Sequence, residues 1–203
     1  MSVDKIGNSI FKLSPILHSF YDSKIFCNSI QNNINNSTII GDNIFFYTYD
    51  DTNSENVFSY ERAYIVCESL IKQIKYLHNA GYSFIHLELN DILYINKKSS
   101  IIANFKNICK INKICNGNCN GNGNDNDNDN DNFNITINYP IIKSKFSSPS
   151  ILAIKTIPCH ISYTSFYYSL ALIILYKMDL SIEKLYLIHN TKLYWILKKW
   201  ITP

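Results

Sequence analysis

Gly81-Tyr82-Ser83-Phe84-Ile85-His86-Leu87-Glu88-Leu89-Asn90-Asp91-Ile92-Leu93 is the stretch on which the reading of this chain turns. It follows a run in which Ala63, Val66, Cys67, Leu70, Ile71, Ile74 and Leu77 recur at spacings of three and four. That spacing predicts an amphipathic helix over 59–80. Gly81 supplies its stop, since glycine enters positive φ without a Cβ penalty. From 84 to 96 the pattern alternates loop and short strand, and 100–103 reads as a second short strand. Asn104-Phe105-Lys106 begins thirteen positions after Asp91.

Working outward, Thr38-Ile39-Ile40, Gly41-Asp42-Asn43 and Ile44-Phe45-Phe46-Tyr47-Thr48-Tyr49 read as a β-hairpin over 38–49 with a glycine-containing turn. Residues 50–55 form a polar linker. Before the hairpin, Phe11 to Leu17 is apolar enough to pack on something, and 31–37 is an Asn-rich loop. Downstream, 112–134 is a low-complexity Asn/Asp tract with little to bury, and disorder is expected there. Phe166 to Met178 is apolar nearly all round, as a helix surrounded by protein should be. Residues 190–200 are amphipathic, with Leu193, Ile196, Leu197 and Trp200 on one face and Thr191 as the cap.

Composition narrows the function classes. A chain of 203 residues can bury one core. The net charge of +3 gives no broad electrostatic surface, so no nucleic-acid partner is expected. The longest apolar run, Phe166 to Tyr176, is too short to span a bilayer, so no membrane partner is expected either. The first residues carry no apolar core of signal-peptide length. The cysteines are scattered, which suits reduced thiols in an intracellular, cytoplasmic protein. Arg62 is the sole arginine, and Lys does not replace the bidentate anion contacts that Arg makes.

The block from Tyr76 to Phe105 resembles, without a gap, the catalytic loop of eukaryotic protein kinases, G-x-x-H-R-D-L-K-P-E-N-I-L, and the D-F-G motif beyond it. Leu87, Ile92 and Leu93 match. The order of the predicted elements is also similar. Ser148-Pro149-Ser150 takes the place of the A-P-E turn, and Phe166-Tyr167-Tyr168-Ser169-Leu170-Ala171 resembles the D-x-W-S-L-G start of the central helix. The resemblance implies an α+β, mainly α fold: a protein-kinase-like C-lobe (58–203), interrupted by the Asn/Asp tract, behind a truncated N-lobe remnant (1–57) that contains the hairpin, with residues 1–37 forming strands or lying across the lobe. Several kinase-like proteins of large DNA viruses share this short front and these altered motifs, which would place the protein in the host cytoplasm.

The resemblance also says what has changed. Kinase catalysis is mostly positioning and charge neutralisation. His86 stands where the loop has its catalytic Asp; a neutral imidazole could accept a proton there. Glu88 stands where a Lys contacts the transferring phosphate, and a carboxylate repels that group by roughly several kcal/mol at partial burial. Asp91 and Asn104 hold the two metal-binding places with Asn and Asp exchanged. No Glu precedes Glu55, so the partner of the N-lobe Lys is absent, and no G-x-G-x-x-G precedes a candidate strand. Ser150 replaces the A-P-E Glu, and no Arg follows Arg62 to pair with it. The expected function is therefore a catalytically inactive pseudokinase, a protein-binding module without a cofactor. The alternative is a divergent protein serine/threonine kinase with residual ATP and Mg²⁺ at Asp91 and Asn104 and His86 as base.

Three other patterns carry less. Asp125, Asp127, Asp129 and Asp131 alternate like the start of an EF-hand loop, but Asn130 and Thr136 stand where its glycine and bidentate Glu belong. Cys115 and Cys119 have no second pair or nearby His for zinc. Lys198, Lys199 and Trp200 could touch an acidic surface, and a solvated helix end is the plainer reading.

Overall fold

Two short strands, a helix and a hairpin open the chain. The computed structural model describes residues 3–7, 10–17, 22–34, 36–47, 57–96, 98–113 and 133–202. In it β1 (Val3–Lys5) and β2 (Phe11–Leu13) pair antiparallel, and α1 (Ser23–Gln31) follows. β3 (Ser37–Ile40) and β4 (Asn43–Phe46) form the hairpin, giving a four-stranded sheet in the order β1-β2-β4-β3. Period-two alternation along β4 buries Ile44 and Phe46 on one face. Gly41 opens the turn at φ +59, the sign that a glycine-first hairpin turn requires.

The front region thus holds two further strands and a helix beside the expected hairpin, and the molecule is mixed α/β. Thr48, Tyr49 and the 50–55 linker lie outside the described residues. α1 escapes a periodicity reading because it is short and carries only Phe26, Cys27 and Ile30 as buried apolar residues, with Ser29 buried among them. Its start is legible afterwards: the Asp22 carboxylate accepts the Lys24 N–H at 2.9 Å.

The helix anticipated over 59–80 is α2 (Tyr60–Asn79), capped by Ser59, whose Oγ accepts the Arg62 N–H at 3.2 Å. Of its seven predicted apolar positions, Ala63, Val66, Cys67, Leu70, Ile74 and Leu77 are buried and Ile71 is half-buried. Gly81 ends it at φ +80. Beyond it come β5 (Tyr82–Phe84), a 3-10 turn (Leu89–Asp91), β6 (Ile92–Tyr94), β7 (Ser100–Ile102) and β8 (Ile108–Lys110). β5 pairs with β8 and β6 with β7, both antiparallel.

Polar side chains of α2 complete the backbone of β7. The Gln73 amide donates to Ile102 O at 2.7 Å and accepts the Ile102 N–H at 2.7 Å. One turn earlier, Ser69 Oγ donates to Ser100 O at 2.7 Å and accepts its N–H at 3.0 Å. A strand buried against a helix would otherwise leave peptide groups without partners, and these two residues supply them.

The last third holds β9 (Asn112–Lys113), β10 (Phe133–Ile137), α3 (Pro149–Leu152), β11 (Cys159–Ser162), α4 (Phe166–Lys177), a 3-10 segment (Ile182–Ile188) and α5 (Lys192–Ile201). β9, β10 and β11 form a sheet in the order β11-β10-β9. The Asn/Asp tract was expected to be disordered over 112–134, yet its ends are paired: Asn112 faces Asn134 and Lys113 faces Phe133. Residues 114–132, with the aspartate alternation, Cys115 and Cys119, lie outside the described residues.

One large core joins α1, α2, α4, α5 and both small strand pairs, and a smaller one lies around Ile85, Ile135, Ile137 and Ile151. A file of rings crosses the large core. Phe26 of α1 stacks on Phe105 at 4.8 Å, Phe105 on Phe84 at 5.9 Å, and Phe84 meets Phe166 of α4 edge-on at 5.9 Å. Beside this file the chain after β2 is held in place. The Ile16 N–H donates to Ala103 O at 2.9 Å, and Ile16 O accepts the Phe105 N–H at 2.8 Å. The front region is thus bonded to the backbone that carries Asn104. Among the described residues no helix is long and apolar enough to cross a membrane.

Candidate functional site

The four residues singled out in the sequence come together in one cleft of about 540 Å³. His86, Glu88 and Asp91 lie on the loop between β5 and β6, and Asn104 on the loop between β7 and β8. The far wall is the segment from Tyr139 to Ser144, beyond the Asn/Asp tract. Residue patterns gave no sign of this wall, because its contribution depends on how the β10–α3 connection folds back. Lys106 and Asn107 also line the cleft, supplied by the chain just after Phe105.

Asp91 is the organising group. It is buried, and each of its oxygens is engaged: Oδ2 accepts the Glu88 N–H at 2.8 Å, and Oδ1 accepts the Asn104 Nδ2–H at 2.5 Å. The Asp91 N–H donates back to Glu88 O at 3.0 Å, which closes the 3-10 turn. Asn104 Oδ1 accepts the Lys106 N–H at 3.0 Å. Both contacts fix the orientation of the Asn104 amide, since a flipped amide would set its oxygen against the carboxylate. Burial lifts the Asp91 carboxyl above its ordinary value, while the Glu88 N–H and the Asn104 amide pull it back.

His86 is buried beside this knot. Its Nε2 lies 3.5 Å from Glu88 Oε1 and 3.4 Å from Asn107 Nδ2. Its Nδ1 is buried without a hydrogen-bond partner among the described residues. Burial pushes the imidazole below its ordinary value, and the Glu88 and Asp91 charges oppose that shift without reversing it. At neutral pH the ring is therefore uncharged. Glu88 is partly exposed and is the carboxylate that faces the open cleft, with Lys106 the exposed cation along the same wall.

Chemically, the cleft offers a neutral imidazole, one accessible carboxylate, one ammonium and several amides. Among the described residues no group of His, Cys, Asp and Glu is arranged to hold a metal ion. The described cysteines, Cys27, Cys67, Cys109 and Cys159, are free thiols, and Cys109 Sγ lies 3.8 Å from the Tyr139 hydroxyl of the far wall. At the C-terminal end Trp200 packs inward with Leu193 and Leu197, stacking on Tyr167 at 5.1 Å, and the exposed tryptophan is Trp195. No protein-family model matches the chain, and no curated protein matches it in sequence.

Proposed function

We propose that this chain is a protein-kinase-like domain that does not transfer phosphate and acts by binding another protein. The observation that carries the reading is the state of Asp91. Its two oxygens already accept the Glu88 N–H and the Asn104 amide, so the carboxylate serves as a loop clamp. A Mg²⁺ ion demands near-octahedral oxygen ligands and would have to displace those donors. The charge of the cleft supports the same view. The accessible carboxylate of Glu88 stands where the family resemblance calls for a phosphate-binding Lys.

Two further features support the resemblance itself. Asp91 and Asn104, the counterparts of two metal-binding residues, lie in direct contact although thirteen positions apart. Phe166, the counterpart of a central-helix Asp that accepts loop hydrogen bonds, packs on the ring of Phe84 instead. An apolar contact has taken the place of a polar one, which keeps the framework without its ionic groups.

The second reading is a divergent protein serine/threonine kinase. The observation on its side is the cleft, which falls in the size range of nucleotide and drug-sized ligand sites and gathers His86, Asp91 and Asn104. Thermal unfolding with ATP, with and without Mg²⁺, alongside a phosphate-transfer assay, separates the two. The binding-module reading expects no Mg²⁺-dependent rise in Tm and no transfer. A Mg²⁺-dependent rise that disappears in Asp91→Asn, or transfer that disappears in His86→Ala, would establish the kinase reading instead.

A further inference from the structure

α5 presents two faces of opposite character. Leu193 and Leu197 point into the core, and Trp200 is held against Tyr167. The other side carries Lys192, Trp195 and Lys199, which follow one another at three- and four-residue spacing and so lie along one stripe. Lys198 sits beside them, its ammonium 5.5 Å from the Trp195 ring and 5.5 Å from the Tyr194 ring. All three lysines are exposed, and Trp195 is 63% exposed. No Asp or Glu occurs in α5.

A solvated helix end explains the lysines but not the tryptophan. Burying so large an aromatic surface is favourable, yet most of the Trp195 ring is left in water. An exposed indole flanked by cations has the make-up of an interface anchor: tryptophan supplies contact area, and the surrounding charge selects the partner. The helix cannot lie in a bilayer by its apolar face, because that face is already packed in the core. The charge on the free stripe is uniformly positive.

We propose that the Lys192–Trp195–Lys199 stripe of α5, with Lys198, docks an acidic protein segment that presents carboxylates to the lysines and an apolar side chain to Trp195. This deepens the protein-binding reading by naming the face and the chemistry of the partner, and it rests on that reading. It does not involve the cleft, so the nucleotide assays can fail or succeed without deciding it.

The probe is a fluorescein-labelled synthetic peptide of Glu and Leu, titrated with the whole chain and followed by anisotropy. Saturable binding that weakens with added salt is expected. Lys198→Gln/Lys199→Gln should weaken it about tenfold, the sum of two exposed ion pairs. Trp195→Ala should weaken it by a similar factor, with unchanged circular dichroism and Tm. Lys192→Gln gives a second reading of the stripe should the double variant lose its fold. The proposal is overturned by no binding of the peptide, by binding indifferent to all three variants, or by a blue shift of tryptophan emission with phosphatidylserine vesicles but not with the peptide.

Discussion

Asp91 and His78 show how burial sets the behaviour of single side chains here. Hydrogen bonds to a charged group contribute about 1.5–3 kcal/mol each, and Asp91 accepts two. Asp91→Ala should therefore lower stability by about 2–4 kcal/mol in urea unfolding, since water can reach part of the vacated site. A neutral effect would mean that the loop clamp is not formed. His78 is enclosed by the rings of Tyr163 (5.2 Å), Phe166 (5.7 Å) and Tyr167 (6.0 Å), with Ser83 Oγ 3.4 Å from its Nε2. Burial lowers its pKa from 6.5 to about 4. The unfolded chain then binds a proton between those values that the folded chain refuses, so stability falls as pH drops through that window. His86 is shifted in the same direction. Urea midpoints at pH 7 and pH 5 should differ in the wild type, and His78→Phe should reduce that difference. An equal difference in the variant would assign the pH response elsewhere.

At the scale of elements, the joint between α2 and β7 is unusual in being made by side chains acting as a strand. Gln73 offers one donor and one acceptor in the geometry of a peptide group, and both are used by Ile102. Gln73→Leu keeps the volume but leaves a buried N–H and C=O unpaired. The expected loss is about 2–4 kcal/mol, with faster amide exchange at Ile102. Lys72→Ala, one residue away and exposed, should cost less than about 0.5 kcal/mol. Comparable losses in the two variants would show that the effect comes from the helix and not from the joint. α2 itself was legible because seven apolar positions at helical spacing leave little choice of face. α1 was not, because its buried side is short and shares its sequence character with the Asn- and Ser-rich loops on either side.

For the whole molecule, the ring file from Phe26 to Phe166 ties the front region to the helical half. Phe26 contacts both Phe105 and Tyr82, the latter edge-on at 5.3 Å. Phe26→Ala should cost about 3–5 kcal/mol, the usual range for a buried phenylalanine. Because one core spans both regions, far-UV circular dichroism and tryptophan fluorescence should still report one transition in the wild type. Both tryptophans lie in α5, far along the chain from Phe26. A loss of helical signal that precedes the fluorescence change would show that the front region unfolds on its own.

The sequence by itself determined the local pieces: α2 and its glycine stop, the hairpin turn at Gly41, the short strands around Asp91, the buried α4 and the amphipathic α5. Each is fixed by periodicity or by a backbone preference acting over a few residues. A resemblance in spacing also singled out His86, Glu88, Asp91 and Asn104, which line one cleft. Tertiary structure alone decided what those residues do to one another. Whether Asp91 points at solvent or accepts two donors depends on how two loops approach, and hydrogen bonds across that gap leave no trace in residue order. The same holds for the added strands of the front sheet, the paired ends of the Asn/Asp tract and the wall from Tyr139 to Ser144. These are long-range pairings, and their free energy comes from surfaces that meet only when the chain has folded.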